Sequence, residues 1–482
     1  MNDGSALQAT DATDNQIYVG GRLGSSGTNW IRCKPSAKLL LDNSAVIASD
    51  QGTLLFEGPI SWDSTAKAGE YEARGTNSSL RFSTSFQIPE GVTTHFTGPG
   101  TNRVETGATV TGIAQVGGGL QGASEGNLAI NGQITGTGSL RIIGLSLPAG
   151  RVIWEQGTVE LPDVEIQKAG ELLVAGLTTT LHEFKNTSIA NGGTVSLKSR
   201  QLTLAEETTF ENLEDALFLA DGEALLFGKG TNSAPIFENR GLFSKTGNGV
   251  VSFQEAAGGP GPVFNNSGEV EVEAGALNLL TGTNSGAFKM NPEGTLAFTG
   301  GLFLLETNTT FEGQGLVRVI QGSAPASLMA LGQLSIPAFE VGSNGVFVAS
   351  GRSNSIDFFD ILTCRDNGTV LNGTFIATNM YLVGDSLLTN CSGIIQSSFE
   401  ASGNSCTLAA TQLILGHNSQ GYIGVPENRD ASLILESRSI LAVQGQLRML
   451  GTASIQSRNN AENMLLIGYR GMLTCTNTPL IT

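Results

Sequence analysis

The chain is short of almost everything an ordinary enzyme displays. Histidine occurs three times in 482 residues, at His95, His182 and His417. The five cysteines, Cys33, Cys364, Cys391, Cys406 and Cys475, include no pair at zinc-site spacing. No metal site and no cofactor is therefore expected. Charged residues make up 14% of the chain and aromatics 6%, and the Lys- and Glu-rich runs of long exposed helices are missing. No run of 18 apolar residues occurs, so no membrane-spanning helix is expected. The first stretch, MNDGSALQATDATDNQ, is acidic and lacks an apolar segment, so it shows no signal peptide. Lys and Arg number 26 against 43 Asp and Glu, and the resulting net charge of −17 argues against a nucleic-acid partner. Such an exterior is self-repelling and compatible with divalent cations such as Ca2+, although no motif specifies a site.

What the chain does have is glycine, 64 of them, with many short β-branched segments separated by Gly and Asn. That texture describes an all-β chain that turns every few residues. The best helix candidate, LEDALFLADGEALLF (213–227), is weakened by Gly222. The stretch VFNNSGEVEVEAG (263–275) is typical. Val270, Val272 and Ala274 alternate with Glu269, Glu271 and Glu273, which predicts a half-buried strand closing on Gly275.

Its opening Phe-x-Asn recurs. Phe184–Asn186, Phe210–Asn212, Phe237–Asn239 and Phe264–Asn266 repeat at intervals of about 26 residues, a period in the solenoid range. Looser copies follow at Phe288 and Phe311. Three short strands with their turns fill about 26 residues, and stacking such rungs at about 4.8 Å puts like over like. The four Phe residues are thus expected to form one interior file, and Asn186, Asn212, Asn239 and Asn266 a hydrogen-bonded ladder at a corner. One continuous solenoid over 1–482 is expected, with at most a weak subdivision into 1–340, carrying the Phe-x-Asn rungs, and 341–482, carrying most of the cysteines. About 18 rungs would make a rod roughly 90 Å long. The cysteines are read either as disulfide pairs with one thiol left over or as small buried hydrophobes.

A second motif marks the ends: Ile17, Tyr18, Val19 and Gly20 near the start, and Leu413 to Gly416 and Leu465, Leu466, Ile467 and Gly468 near the finish. No amphipathic capping helix accompanies either. Exposed terminal rungs of one type predict head-to-tail self-association, with Ile17–Gly20 meeting Leu465–Gly468.

The rungs FxNxG…VxVxAGxLxL (Phe264 to Leu279), TFxGxGxL (from Thr310) and LxxGxxGxL (Leu465 to Leu473) resemble repeats of bacterial secreted and cell-surface β-helix proteins. These are the autotransporter passengers and the filamentous-haemagglutinin-like adhesins. The resemblance implies a right-handed parallel β-helix, an extracellular or cell-surface location, and a structural or adhesive role in matrix, surface layer or filament. It supplies no catalytic residues.

The same scaffold also serves enzymes that cut acidic polysaccharides, and those need convergent carboxylates. The densest candidate here is GRSNSIDFFDILTCRDNGT, with Arg352, Asp357, Asp360, Arg365 and Asp366. Its plainer reading is a corner of structural ion pairs. Trp62, with Asp63 and Tyr71, is the best candidate for a glycan-stacking patch; Trp30 and Trp154 are the other tryptophans. Asn-x-Ser/Thr triplets stand at Asn77, Asn186, Asn308, Asn367 and Asn372, with glycosylation undecided. The expected function is a non-catalytic extracellular structural or adhesive protein that stacks on itself. A polysaccharide lyase or hydrolase and an adhesin for glycans or a receptor are the alternatives.

Overall fold

The turn signals and two-residue alternation are realised without exception among the described residues: every regular element is a strand, and every strand pairing is parallel. In the computed structural model the chain is a β-solenoid of about 17 turns with about 24–26 residues per turn. The structure describes all residues except 2–3, 10–15, 34–37, 43, 59, 63–65, 85, 119–124, 144–148, 177–179, 231–232, 257–258, 323, 350–355, 425–430, 451, 459–461, 469–470, 476–479 and 482. The chain divides into two compact units. The first is Met1–Ser244 with Val251–Val263, and the second is Lys245–Val250 with Phe264–Thr482.

In the first unit a turn has three faces. Glu171–Val174, His182–Lys185 and Ser188–Asn191 pair in order with Thr194–Leu197, Gln201–Ala205 and Thr209–Asn212. Those pair with strands at Leu217–Asp221, Ala224–Lys229 and Ile236–Asn239. The helix candidate at 213–227 is therefore two strands, because Phe218 and Ala220 each find a partner in the turn before. In the second unit one long strand can serve two faces. Ser392–Ile395 pairs with Gln412–Leu415 and Ser398–Ala401 pairs with Gln420–Ile423, with Cys406–Ala409 supplying the third face.

Alternation fills the interior. Along Glu269–Leu279, Val270 and Val272 are fully buried while Glu273 faces out, but the register shifts between Val272 and Ala274 and leaves Ala274 half-buried. The strand does not close on Gly275. It bends there, at φ +71°, and runs on to Leu279. Inside, aromatic rings stack from turn to turn: Phe210 on Phe237 at 4.8 Å and Phe218 on Phe243 at 5.1 Å in the first unit, Phe339 on Phe359 at 5.3 Å in the second.

The ladder is real but differs in membership. Phe210 and Asn212 lie opposite Phe237 and Asn239, whereas Phe184 lies opposite Leu204 and Val159. The residue over Phe210 is Ile189, and the one over Asn212 is Asn191. Asn186 takes φ +50° at a corner, so the chain turns between Phe184 and Ile189 and the interval of 26 counts one corner too many. Asn186 faces out and donates to Glu160 at 3.1 Å. The buried ladder runs Asn191 to Asn212 and Asn212 to Asn239, each amide donating to the next at 2.7 Å. In the second unit Asn266 donates to Asn284 at 2.6 Å, and Asn284 to Thr309 at 3.0 Å. The looser copies change face: Phe288 and Phe311 stack on each other in the file of Val270, not in that of Phe264.

Candidate functional site

The cluster at residues 352–366 is distributed over both faces of its strand, so its carboxylates do not converge. In Asp357–Arg365, Asp357 and Phe359 point into the core while Phe358 and Asp360 point out. Asp357 is 4% exposed, and its Oδ1 accepts from the Leu334 N–H at 2.9 Å. Burial pushes this carboxyl up to about 6, opposed by that hydrogen bond. Arg365 pairs with Glu340 at 2.9 Å, which Arg318 also holds at 2.7 Å, and Arg365 lies 3.8 Å from the exposed Asp366. These residues form an ion-pair column across successive turns. Arg352 lies outside the described residues. Among those described, no group of three or more His, Cys, Asp or Glu is arranged to hold a metal ion.

The tryptophan patch does not form around Tyr71, which is 1% exposed and stacks among Phe56, Phe82 and Phe96. The Trp62 side chain and Asp63 lie outside the described residues. Trp154 is buried beside Phe184, and Trp30 is half-exposed with the Arg32 guanidinium 5.4 Å over its ring. All five cysteines are free thiols, four of them buried. Burial pushes Cys364 up to about 12 and raises Cys391 and Cys406, so these three are inert core residues. Cys475 is exposed.

Among the described strands, those of the first and last turns each have one unpaired edge. Take as third in each turn the strand that ends at the Asn corner. The first turn then comprises Ala6–Ala9, Gln16–Val19 and Arg22–Ser26, each paired on one side only among the described strands. Met1 sits against the third of these, accepting from Ser26 N–H at 3.0 Å and donating to Gly24 O at 2.9 Å. The last turn comprises Met464–Ile467, Met472–Cys475 and Leu480–Ile481, likewise paired on one side. Met464, Leu466, Ile467, Met472 and Ile481 are 42–52% exposed there. Met464 and Gly468 donate inward, to Ser439 and Val443, so alternation turns the N–H groups of Leu465 and Ile467 outward. Ile17–Gly20 and Leu465–Gly468 therefore belong to different faces, second and first. The strand of the last turn that corresponds to Gln16–Val19 is Met472–Cys475.

The sequence reading missed an apolar file on the outer surface of the second unit. Phe358, Ile376, Ile394, Ile414, Ala442 and Leu466 stand in register on successive turns, all pointing out. Phe358, Ile394 and Leu466 are 40–43% exposed. A shallow groove beside Phe358 has a volume of about 170 Å³ and is lined also by Asp360, Thr378 and Gln396. Uneven turn lengths hid this file, since Asn372 and Asn390 are 18 residues apart on adjacent turns while Asn212 and Asn239 are 27 apart. No protein-family model matches the chain, and no curated protein matches it.

Proposed function

We propose that the chain is a non-catalytic extracellular structural protein whose copies stack end to end into a filament. One observation carries the reading: parallel strand edges, unpaired among the described strands, at both the first and the last turn, with apolar side chains on the last. The inward patterns are compatible. Leu465 and Ile467 continue the buried file of Leu441 and Val443, and Leu7 continues that of Ile31. Setting Met464–Ile467 on Ala6–Ala9 of the next copy, and Met472–Cys475 on Gln16–Val19, would bury Leu465, Ile467 and Leu7 and pair the outward N–H groups of Leu465 and Ile467. The test is electron microscopy and sedimentation of the full chain. Filaments that lengthen with concentration are expected, and Ile467→Pro, which removes one outward donor but no inward bond, should shorten them at least tenfold. Isolated chains at well above micromolar concentration would reject the reading.

The enzymatic alternative keeps one favourable observation, the carboxyl of Asp357 near 6. Release of unsaturated sugars from an acidic glycan, lost in Asp357→Ala, would promote it over the structural reading. The adhesive alternative is favoured by the groove beside Phe358.

A further inference from the structure

Six asparagines stand directly before a glycine: Asn131, Asn191, Asn248, Asn344, Asn367 and Asn372. In such a step the glycine amide nitrogen can reach the asparagine Cγ, because no Cβ stands in its way. The fold treats the six differently. Asn191 is buried with its amide donating to Asn212 at 2.7 Å, and the Ile166 carbonyl holds the Gly192 N–H at 2.7 Å. Gln156 holds both groups of the next step, the Asn131 amide oxygen through Nε2 and the Gly132 N–H through its carbonyl. The Gly345 and Gly368 N–H groups close tight turns, onto the Gly342 carbonyl at 2.9 Å and the Arg365 carbonyl at 2.8 Å. Asn372 accepts from Asn390 Nδ2 at 2.9 Å, and the Gly373 N–H is directed at the Cys391 sulfur.

Asn248 stands apart from the other five. It is exposed in the turn that follows Thr246, and among the described residues neither its amide nor the Gly249 N–H has a hydrogen-bond partner. The start of that turn is pinned by Lys245, which is wholly buried. Its Nζ donates to the carbonyls of Thr246, Gly247 and Ala274 at 2.6, 2.7 and 3.1 Å. An ammonium charge within the same turn favours the anion formed when the Gly249 nitrogen loses its proton.

We infer that Asn248 is a modification site, at which the side-chain amide becomes a carboxylate without an enzyme. The Gly249 nitrogen attacks Asn248 Cγ. The new N–Cγ bond forms, the Cγ–Nδ2 bond breaks, and ammonia leaves with the proton from Gly249. Water then opens the cyclic imide at one of its two carbonyls, giving aspartate or isoaspartate, the second with an added methylene in the backbone. That extra atom disturbs the next turn. The Gly249 carbonyl accepts from the Ala276 N–H at 3.1 Å, and a Cβ on Gly275 would lie 2.2 Å from the same oxygen. A lengthened backbone cannot keep so close a fit. None of this requires end-to-end stacking.

The experiment is peptide mapping by mass spectrometry of the full chain, held for weeks at mildly alkaline pH, folded and in urea. In the folded chain the Asn248 peptide is expected to convert at least about tenfold faster than the other five, whose N–H groups are released only when a turn opens. Its product is expected as a mixture of aspartate and isoaspartate, with loss of amide-exchange protection at Ala276 in the isoaspartate chain. In urea all six should convert at similar rates. An intact Asn248 in the folded chain, a second Asn-Gly step converting as fast, or aspartate formed without isoaspartate overturns the inference.

Discussion

Asn212 sits between two residues of its own kind, accepting from Asn191 and donating to Asn239 and to the Leu242 carbonyl. Because it is wholly buried, Asn212→Ala takes a partner from each neighbour and should cost about 2–3 kcal/mol, read as a lower urea midpoint. Asp357 behaves in the opposite sense. Its folded-state carboxyl is raised to about 6 from 3.8, so the folded protein holds the proton more tightly and loses stability as pH rises through that window. Asp357→Asn keeps the acceptor for the Leu334 N–H and removes the charge. It should raise stability at pH 7 by on the order of 2 kcal/mol and change little at pH 4, measured by thermal unfolding at both values. His95 and His182 titrate the other way. Burial lowers both from 6.5, and His182 is held between the Ala175 carbonyl at Nε2 and the Ser199 hydroxyl at Nδ1. The stability these neutral rings carry is present above 6.5 and is lost as pH falls below it, so NMR titration should place both midpoints under 6.5. The environments of Asp357, His95 and His182 were not legible in the sequence, since the groups that set them stand largely on other turns.

At the scale of strands and corners the sequence was more informative. Alternation correctly marked Val270 and Val272 as inward, and Phe-x-Asn correctly paired Phe210 with Phe237 and Asn212 with Asn239. It misassigned Phe184 and Asn186 because an interval fixes a period and not a face. The true ladder member, Asn191, follows Ile189 where the others follow Phe, so a motif written around Phe passes over it. Close approach between turns imposes its own demand even within a strand. Gly282 stands at φ +146°, and a Cβ there would lie 1.8 Å from the Phe264 carbonyl oxygen of the neighbouring turn. Gly282→Ala should therefore displace a whole rung and cost more than about 3 kcal/mol, visible as loss of amide-exchange protection at Phe264 and Asn284. The Cys-containing rungs show why composition alone left the thiols open: Cys364, Cys391 and Cys406 occupy buried positions where any small apolar residue would fit.

For the whole molecule, the proposed function rests on how turns end. A solenoid turn is satisfied only by another turn, and among the described strands the first and last turns are each paired on one side. The stacked arrangement proposed above sets Cys475 directly over Val19 of the next copy, at a Cα separation of about 4.8 Å that a disulfide can span. The most direct measurement is mild oxidation of the Val19→Cys protein followed by a non-reducing gel. The account predicts a ladder of covalent multimers that grows with protein concentration and collapses on reduction. Bands confined to monomer and to a Cys475-linked dimer, equal to those of the unsubstituted chain, would contradict it.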